Sequence, residues 1–332
     1  MEMNSAQQDF TLNIQSNMIL SKNIILILLL FVFIAGCGRN KIFTTVEMNW
    51  QSMNSINKDL PIEIKIFRGK NNQIPVKAWY AIIDLSSNNN NIRIVQSQDT
   101  DRRETLSEFA EKLNAVVVVN GGYFLMNKNP TEHVGLLMTN HTIHSMALSS
   151  LLRGESRYFV TRGAMGITDQ NQVDIAWVTS RNDSVFEWTN PVENSSDLPN
   201  NFLDYSQSIH WDVRDAIQAG PVLINNNKIN ISIENEVFFD TKIPEINPRT
   251  AAGYTSDGKL ILMVVDGRQA MSRGVYLEEL AIMMHDLGCI EAINLDGGGS
   301  SSIVVNGSLL NKPSGANIER EVMSAIAVFS QQ

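Results

Sequence analysis

Ala292-Ile293-Asn294-Leu295-Asp296-Gly297-Gly298-Gly299-Ser300-Ser301-Ser302-Ile303-Val304-Val305 is the stretch around which the chain is organised. An apolar strand ends in an acid and then in residues almost without side chains, before a second apolar run begins. Glycines there leave backbone N–H groups exposed, so that a phosphate or other oxyanion can come close. The alternative is a tight glycine turn joining two strands, with the acid incidental.

Three other apolar runs end in the same way. Ala115–Val119 reads as a fully buried strand and stops at Asn120-Gly121-Gly122-Tyr123-Phe124. Leu260–Val265 follows a two-residue Asp257-Gly258 turn and stops at Asp266-Gly267-Arg268. Ala216–Ile224 contains Gly220-Pro221. Sites sit preferentially in loops at the ends of core strands, and this recurrence favours the functional reading of Asp296.

Around these runs, period-two alternation predicts strands at 62–67 and 92–97, and 76–85 reads as a more buried strand between them. Thr105 with Glu108 three residues on predicts a capped helix start before Phe109–Leu113. Leu277, Leu280, Ala281, Met284 and Leu287 recur at helical spacing, and Gly288 closes that helix. Asn306-Gly307 is a hairpin turn and 323–329 a closing strand. The stretch 179–215 lacks periodicity and is expected to be a long loop walling the site. No internal period suggests repeats. The expected architecture is α+β: one domain over 61–332, with a central twisted mixed β-sheet, flanking helices and active-site loops at strand ends.

At the N-terminus, Lys22 precedes a short uncharged apolar run that stops at Ala35-Gly36-Cys37. This predicts a secretory signal over 1–36 rather than a membrane helix. Ile34-Ala35-Gly36-Cys37 resembles a bacterial lipobox, which would make Cys37 the lipidated first residue of an exported envelope protein. A polar tether and lead-in over 37–60 would follow, and Met18 is an alternative start. Cys289 then has no partner, so no disulfide framework is expected; it reads as a small buried hydrophobe.

A net charge of −9 and a pI near 5.1, without a basic run, argue against nucleic acid as a partner. An anionic substrate must therefore be gripped locally. Arg249 and Arg268 each adjoin a buried strand, where an arginine needs a carboxylate partner or an anionic ligand. Asp296, Asp266 and Glu278 offer carboxylates for acid/base or nucleophilic work, or for a hard cation such as calcium. Equally, Asp296 and Asp266 could pair with Arg249 and Arg268 as a structural network, and Glu278 could sit on a solvated helix face. No Gly-x-Ser-x-Gly elbow, two-histidine zinc signature, Walker loop or Gly-x-Gly-x-x-Gly is present.

The ordered set Asn120-Gly-Gly-Tyr-Phe, Ala219-Gly-Pro, Pro248-Arg-Thr-Ala, Val265-Asp-Gly-Arg, Gly274 with Leu277-Glu-Glu-Leu-Ala, and Asn294-Leu-Asp-Gly-Gly-Gly-Ser-Ser resembles the phosphodiester glycosidase family over roughly 77–329. The resemblance implies a hydrolase that cleaves the glycosidic C–O bond of a sugar 1-phosphodiester, with a sugar phosphodiester or phosphoglycan as partner. It implies that Arg249, Arg268 and the Gly297, Gly298 and Gly299 amides hold phosphate. Asn120, Gly121, Gly122, Gly220, Asn294, Ser300 and Ser301 complete the cradle, and Asp296 is the first choice for acid/base work before Asp266. A lipid-anchored glycan-binding module without turnover, or an exopolysaccharide-remodelling enzyme, would use the same cradle.

Overall fold

The computed structural model describes residues 46–87, 89–315 and 318–330. The export signal and the lipidation reading at Cys37 lie outside the described residues. Every strand pair in the described chain is antiparallel. An eight-stranded sheet runs, edge to edge, through Asn49–Ser52, Ile64–Asn71, Val76–Asp84, Lys259–Val265, Arg249–Thr255, Cys289–Asn294, Val222–Asn225 and Lys228–Ile229. A seven-stranded sheet centres on Arg162–Ile167 and Asp215–Gln218. A five-stranded sheet is ordered Ser308–Leu309, Ile303–Val305, Val117–Asn120, Ser324–Ser330, Asn90–Gln96.

One hydrophobic core lies among the three sheets: Ile64, Ile66 and Ala81 from the first, Met165 and Ile217 from the second, Val117, Val119 and Ile326 from the third. The alternate residues of the same strands face outward, and two helices cover them. Leu106–Leu113, capped by Thr105 and Glu108, lays Leu106, Phe109 and Ala110 over Val118, Val304 and Ala327. Leu277–Asp286 lays Leu277, Leu280, Ala281 and Met284 over Ala251, Ile261, Met263 and Ala292.

This is a mostly β architecture of several antiparallel sheets, and it corrects the expected α+β fold with a central mixed sheet. The apolar runs misled for a physical reason. A strand buried on both faces reads as a continuous hydrophobic run whether helices cover a parallel sheet or a second sheet covers an antiparallel one. The hairpin turns were the better guide: Gly258 at φ 78° joins Arg249–Thr255 to Lys259–Val265, and Asn306 and Gly307, both at positive φ, join Ile303–Val305 to Ser308–Leu309.

Two further expectations change. The lead-in is not loose after residue 46: Val46 is buried, and Asn49–Ser52 pairs with Ile64–Asn71 as an edge strand. The 179–215 stretch is not one loop. Val173–Arg181 pairs with Ser184–Trp188, which pairs with Ser208–His210, so this segment builds the seven-stranded sheet. Cys289 is fully buried, among apolar neighbours.

Candidate active site

The Ala292–Val305 stretch is a crossing between sheets. Its first half ends the Cys289–Asn294 strand of the eight-stranded sheet, and its last three residues pair with Val117–Asn120 in the five-stranded sheet. At the crossing, the Leu295 N–H donates to the Thr250 carbonyl at 2.8 Å, and the Asp296 N–H donates to the Gly121 carbonyl at 3.0 Å. Asn120 ties the two sides together. Its Nδ2 donates to the Asp296 carbonyl at 2.7 Å, while its Oδ1 accepts from Thr250 Oγ1 at 2.6 Å and from the Ser302 N–H at 3.2 Å. Both ends of Asn120 are therefore engaged within the protein, where they hold the Asp296 carbonyl in place.

The three glycines do not present a free row of amides. The Gly297 N–H donates to the Asp296 carboxylate at 2.8 Å and the Gly298 N–H to the Pro248 carbonyl at 3.0 Å. What the glycines provide is close approach. A β-carbon at Gly298, itself at φ 66°, would meet Arg268 Nη2 at 3.1 Å, and one at Gly299 would meet the guanidinium carbon of Arg320 at 2.5 Å. Two arginines thus lie against bare backbone. Gly121 and Gly122 are small for a different reason: a β-carbon at Gly121 would strike Ser324 and Ile217, and one at Gly122 would strike the Gln218 carbonyl and His133. These two serve packing between strands.

A cavity of about 180 Å³ opens beside the glycine turn. Its charged lining is four cations, Lys242, Arg249, Arg268 and Arg320, against one carboxylate, Asp296. Among the described residues, no ion pair within 4 Å engages Arg249, Arg268 or Arg320. Among the described residues, Asp296 and Asp266 form no ion pair with Arg249 or Arg268, the network that the sequence left open. Arg268 instead donates to Asn247 Oδ1 at 2.8 Å. Arg249 is 2% exposed and donates to carbonyls, from Nε to Val275 at 3.2 Å and from Nη2 to Ile243 at 2.8 Å and Glu245 at 2.5 Å. Burial pulls its guanidinium down to about 10. On a chain of net charge −9, such a concentration of positive charge marks a site for an anion.

Asp296 faces these cations from the turn. Burial pushes its carboxyl up to about 6, against the opposing pull of the Ser300 hydroxyl, the Gly297 amide and the Arg320 charge. Beside it, Asn294 Nδ2 donates to the Gly220 carbonyl at 2.9 Å and to Tyr123 Oη at 3.0 Å, while the Tyr123 hydroxyl donates to the same Gly220 carbonyl at 2.8 Å. Asn294 Oδ1 is buried without a partner. It is the neutral acceptor on this wall, suited to a ligand hydroxyl.

Several expected residues stand elsewhere. Asp266 is 2% exposed and accepts from Asn311 Nδ2 at 2.9 Å and the Lys312 N–H at 3.1 Å, in a separate cavity. Glu278 lies half-buried in the first turn of the 277–286 helix and off the wall; its neighbour Glu279 holds the helix start, accepting from the Tyr276 N–H at 2.9 Å and pairing with Arg273 at 2.6 Å. Ser301 is buried behind the turn, whereas Ser300, also buried, sets its hydroxyl beside the Asp296 carboxylate. No residue of 179–215 lines the cavity; that wall is 242–247, held by Arg249. Tyr123, Lys242, Asn247 and Arg320 were not among the expected site residues. Tyr123 had a signal in the Asn120 motif, whereas the others sit in polar stretches without periodicity. Among the described residues, no three His, Cys, Asp or Glu side chains gather as a metal site requires, and Asp296 surrounded by cations does not suit calcium.

The description "Phosphodiester glycosidase" belongs to the family model that matches residues 113–329. The chain belongs to the phosphodiester glycosidase family. The match spans every element that shapes the Asp296 cavity, from Tyr123 to Arg320. Human N-acetylglucosamine-1-phosphodiester alpha-N-acetylglucosaminidase is 28% identical over 215 residues, covering 64% of this chain and 36% of the human one. The chain thus spans about a third of the length of that curated relative. Among solved structures, the catalytic domain of the zebrafish protein of that name, auto-inhibited by its pro-peptide, aligns with a TM-score of 0.58 at 22% identity. It covers 86% of this chain and 89% of the zebrafish domain. A protein from Synechocystis aligns with a TM-score of 0.56 at 16% identity, over 86% of this chain and 68% of its own. At these identities the two structures speak for the fold. Within this member of the family, the strands between 49 and 96 precede the matched span, yet they complete the eight- and five-stranded sheets.

Proposed function

We propose that this protein hydrolyses the glycosidic bond of a sugar 1-phosphodiester, releasing free sugar and a phosphomonoester. The observation that carries this reading is the cavity itself, in which four cations that form no ion pair within 4 Å among the described residues surround a single acid. Arginine forks match phosphate oxygens bidentately. Arg268 and Arg320, lying on Gly298 and Gly299, hold the phosphate, and Lys242 adds charge at the rim. Arg249 shapes the wall and adds its field from behind. The C1–O bond breaks with its electron pair moving onto the phosphate oxygen, and the cations stabilise that developing charge. Most glycosidases need two carboxylates, one of them to protonate a poor leaving group. A phosphomonoester leaves without that help, because its second ionisation lies near 6. One carboxylate therefore suffices, and Asp296, titrating near neutrality, accepts the proton of the water that attacks C1. Asn294 Oδ1 accepts a sugar hydroxyl.

The relatives' names support N-acetylglucosamine as the sugar. The 1–36 segment and Cys37 support export and anchoring by lipid; among the described residues, no helix is long and apolar enough to cross a membrane. The test is to incubate the purified protein with UDP-N-acetylglucosamine or an alkyl N-acetylglucosamine 1-phosphodiester and to follow free sugar. Release of sugar in the wild type, lost in Asp296→Asn, is expected. Tight binding with no release from any phosphodiester would make the protein a binding module.

A further inference from the structure

A second cavity, of about 310 Å³, is lined by Arg68, Lys70, Lys77 and Lys312, with Trp79 and Asp266. It adjoins the first cavity across one loop. The 266–273 loop sends Arg268 to the Asp296 cavity and Asp266 and Gln269 to the second. Arg268 and Gln269 are consecutive, with Cα atoms about 3.8 Å apart, so the two cavities lie within a side chain or two of each other.

The charge arrangement here is unfavourable to the empty protein. Lys70 and Lys77 are direct partners across the Ile64–Asn71 and Val76–Asp84 strands, and Arg68 is the partner of Trp79 on the same ladder. Like charges directly opposed in an antiparallel pair repel. Among the described residues, no carboxylate within 4 Å forms an ion pair with Arg68, Lys70, Lys77 or Lys312. Asp266 accepts hydrogen bonds from Asn311 and the Lys312 backbone; the Lys77 and Lys312 charges act on its carboxylate from beyond ion-pair distance, one acid against four cations. The strands that carry Arg68, Lys70, Lys77 and Trp79 precede the span matched by the family model, whereas Asp266, Gln269 and Lys312 fall within it.

We propose that this second cavity is an anion subsite that takes the next phosphate group of a substrate carrying successive sugar phosphodiesters. This rests on the phosphodiester reading of the first cavity and sharpens it toward a polymeric phosphoglycan. Lys70 and Lys77 clasp the phosphate between them, so the ligand relieves the repulsion that the paired strands hold. Lys312 closes the opposite side, and the Trp79 ring forms a floor. The loop is tied to the strand beneath it: the Asp266 N–H donates to the Lys77 carbonyl at 3.0 Å, and the Lys77 N–H donates to Ser272 Oγ at 2.9 Å. A phosphate on Lys77 therefore bears on the same loop that carries Arg268.

The test compares the wild type with Lys70→Ala/Lys77→Ala on two substrates, one with a single sugar phosphodiester and one with two in succession. The expected result is kcat/KM unchanged within about twofold on the single diester and reduced about tenfold on the double one. An equal fall on both, or no fall on either, overturns the subsite. Removing the repelling pair should leave the thermal midpoint unchanged or raised, which separates the effect from misfolding. Binding is read independently by titrating inorganic phosphate and following the Trp79 indole by NMR in wild-type and Asp296→Asn protein. Shifts lost in the double-lysine variant support the site even if no diester is hydrolysed, whereas no shift at Trp79 in the wild type counts against it. Shifts with inorganic phosphate but no preference for the double diester would mean a site for free phosphate and would overturn the polymer assignment.

Discussion

Replacing Asp296 by Asn should make the protein more stable at neutral pH while removing its activity. Burial raises this carboxyl from the ordinary value near 4 to about 6, so the surroundings favour its neutral form. Each pH unit of that rise corresponds to about 1.4 kcal/mol, which sets an upper bound of roughly 3 kcal/mol. Because Asp296 opens onto the cavity, water screens part of this, and a gain between about 1 and 3 kcal/mol is expected for Asn, which keeps the acceptor for the Gly297 N–H. The sign follows from linkage. Between about pH 4 and 6 the folded protein binds this proton more tightly than the unfolded chain, so wild-type stability from this group falls as pH rises through that window. The variant lacks that loss. Urea unfolding followed by tryptophan fluorescence should therefore show little difference between the two proteins near pH 4 and the full gap above pH 6. Asp266 and Glu291, whose carboxyls burial also raises, to about 6 and about 7, cancel in the comparison. Wild-type kcat/KM should rise with pH through about 6, since a base must be ionised, and kcat should fall about 10²- to 10⁴-fold in the variant. A variant less stable than wild type at pH 7.5, or a gap indifferent to pH, would refute the picture of a carboxylate held at an energetic disadvantage for its chemistry.

Gly299→Ala pushes a methyl into the Arg320 guanidinium, the far end of a flexible side chain. The thermal midpoint should stay within a few degrees while kcat/KM on a sugar phosphodiester drops at least tenfold. The two arginines of contrasting burial should separate in the same assays. Arg320→Ala should weaken turnover without changing the unfolding midpoint, whereas Arg249→Ala releases three carbonyls and should lower stability by roughly 3 kcal/mol.

The convergence of the site was legible in the sequence, because apolar runs that stop at Asn120, Gly220 and Asp296 do end at one place, where Asn120 holds the Asp296 carbonyl. The two principal helices were legible from capping and spacing, and the Gly258 and Asn306-Gly307 turns from residue types that tolerate positive φ. Strand direction was not legible, since Val117–Val119 is buried on both faces and a doubly buried strand carries no alternation. The polar stretches were equally silent: Arg320 and Lys242 come from segments whose composition suits any surface loop, and only the fold brings them to Gly299 and the cavity rim. Asp266 shows the converse, an acid followed by a glycine and an arginine at a strand end, yet turned into the cavity beyond its own loop.

The crossing at Asn120 sets how the site can open. Its side chain and the 294–296 backbone bridge strands from two different sheets, so freeing the Asp296 amide separates those sheets, and freeing the Leu295 amide breaks its bond to the Thr250 strand within one of them. Hydrogen exchange at both amides should require global unfolding. The opposite wall, 242–246, hangs from the Arg249 guanidinium outside any strand ladder, and its amides should exchange by local opening. The cavity therefore has one rigid jaw, which carries the acid, and one that can yield to admit a substrate.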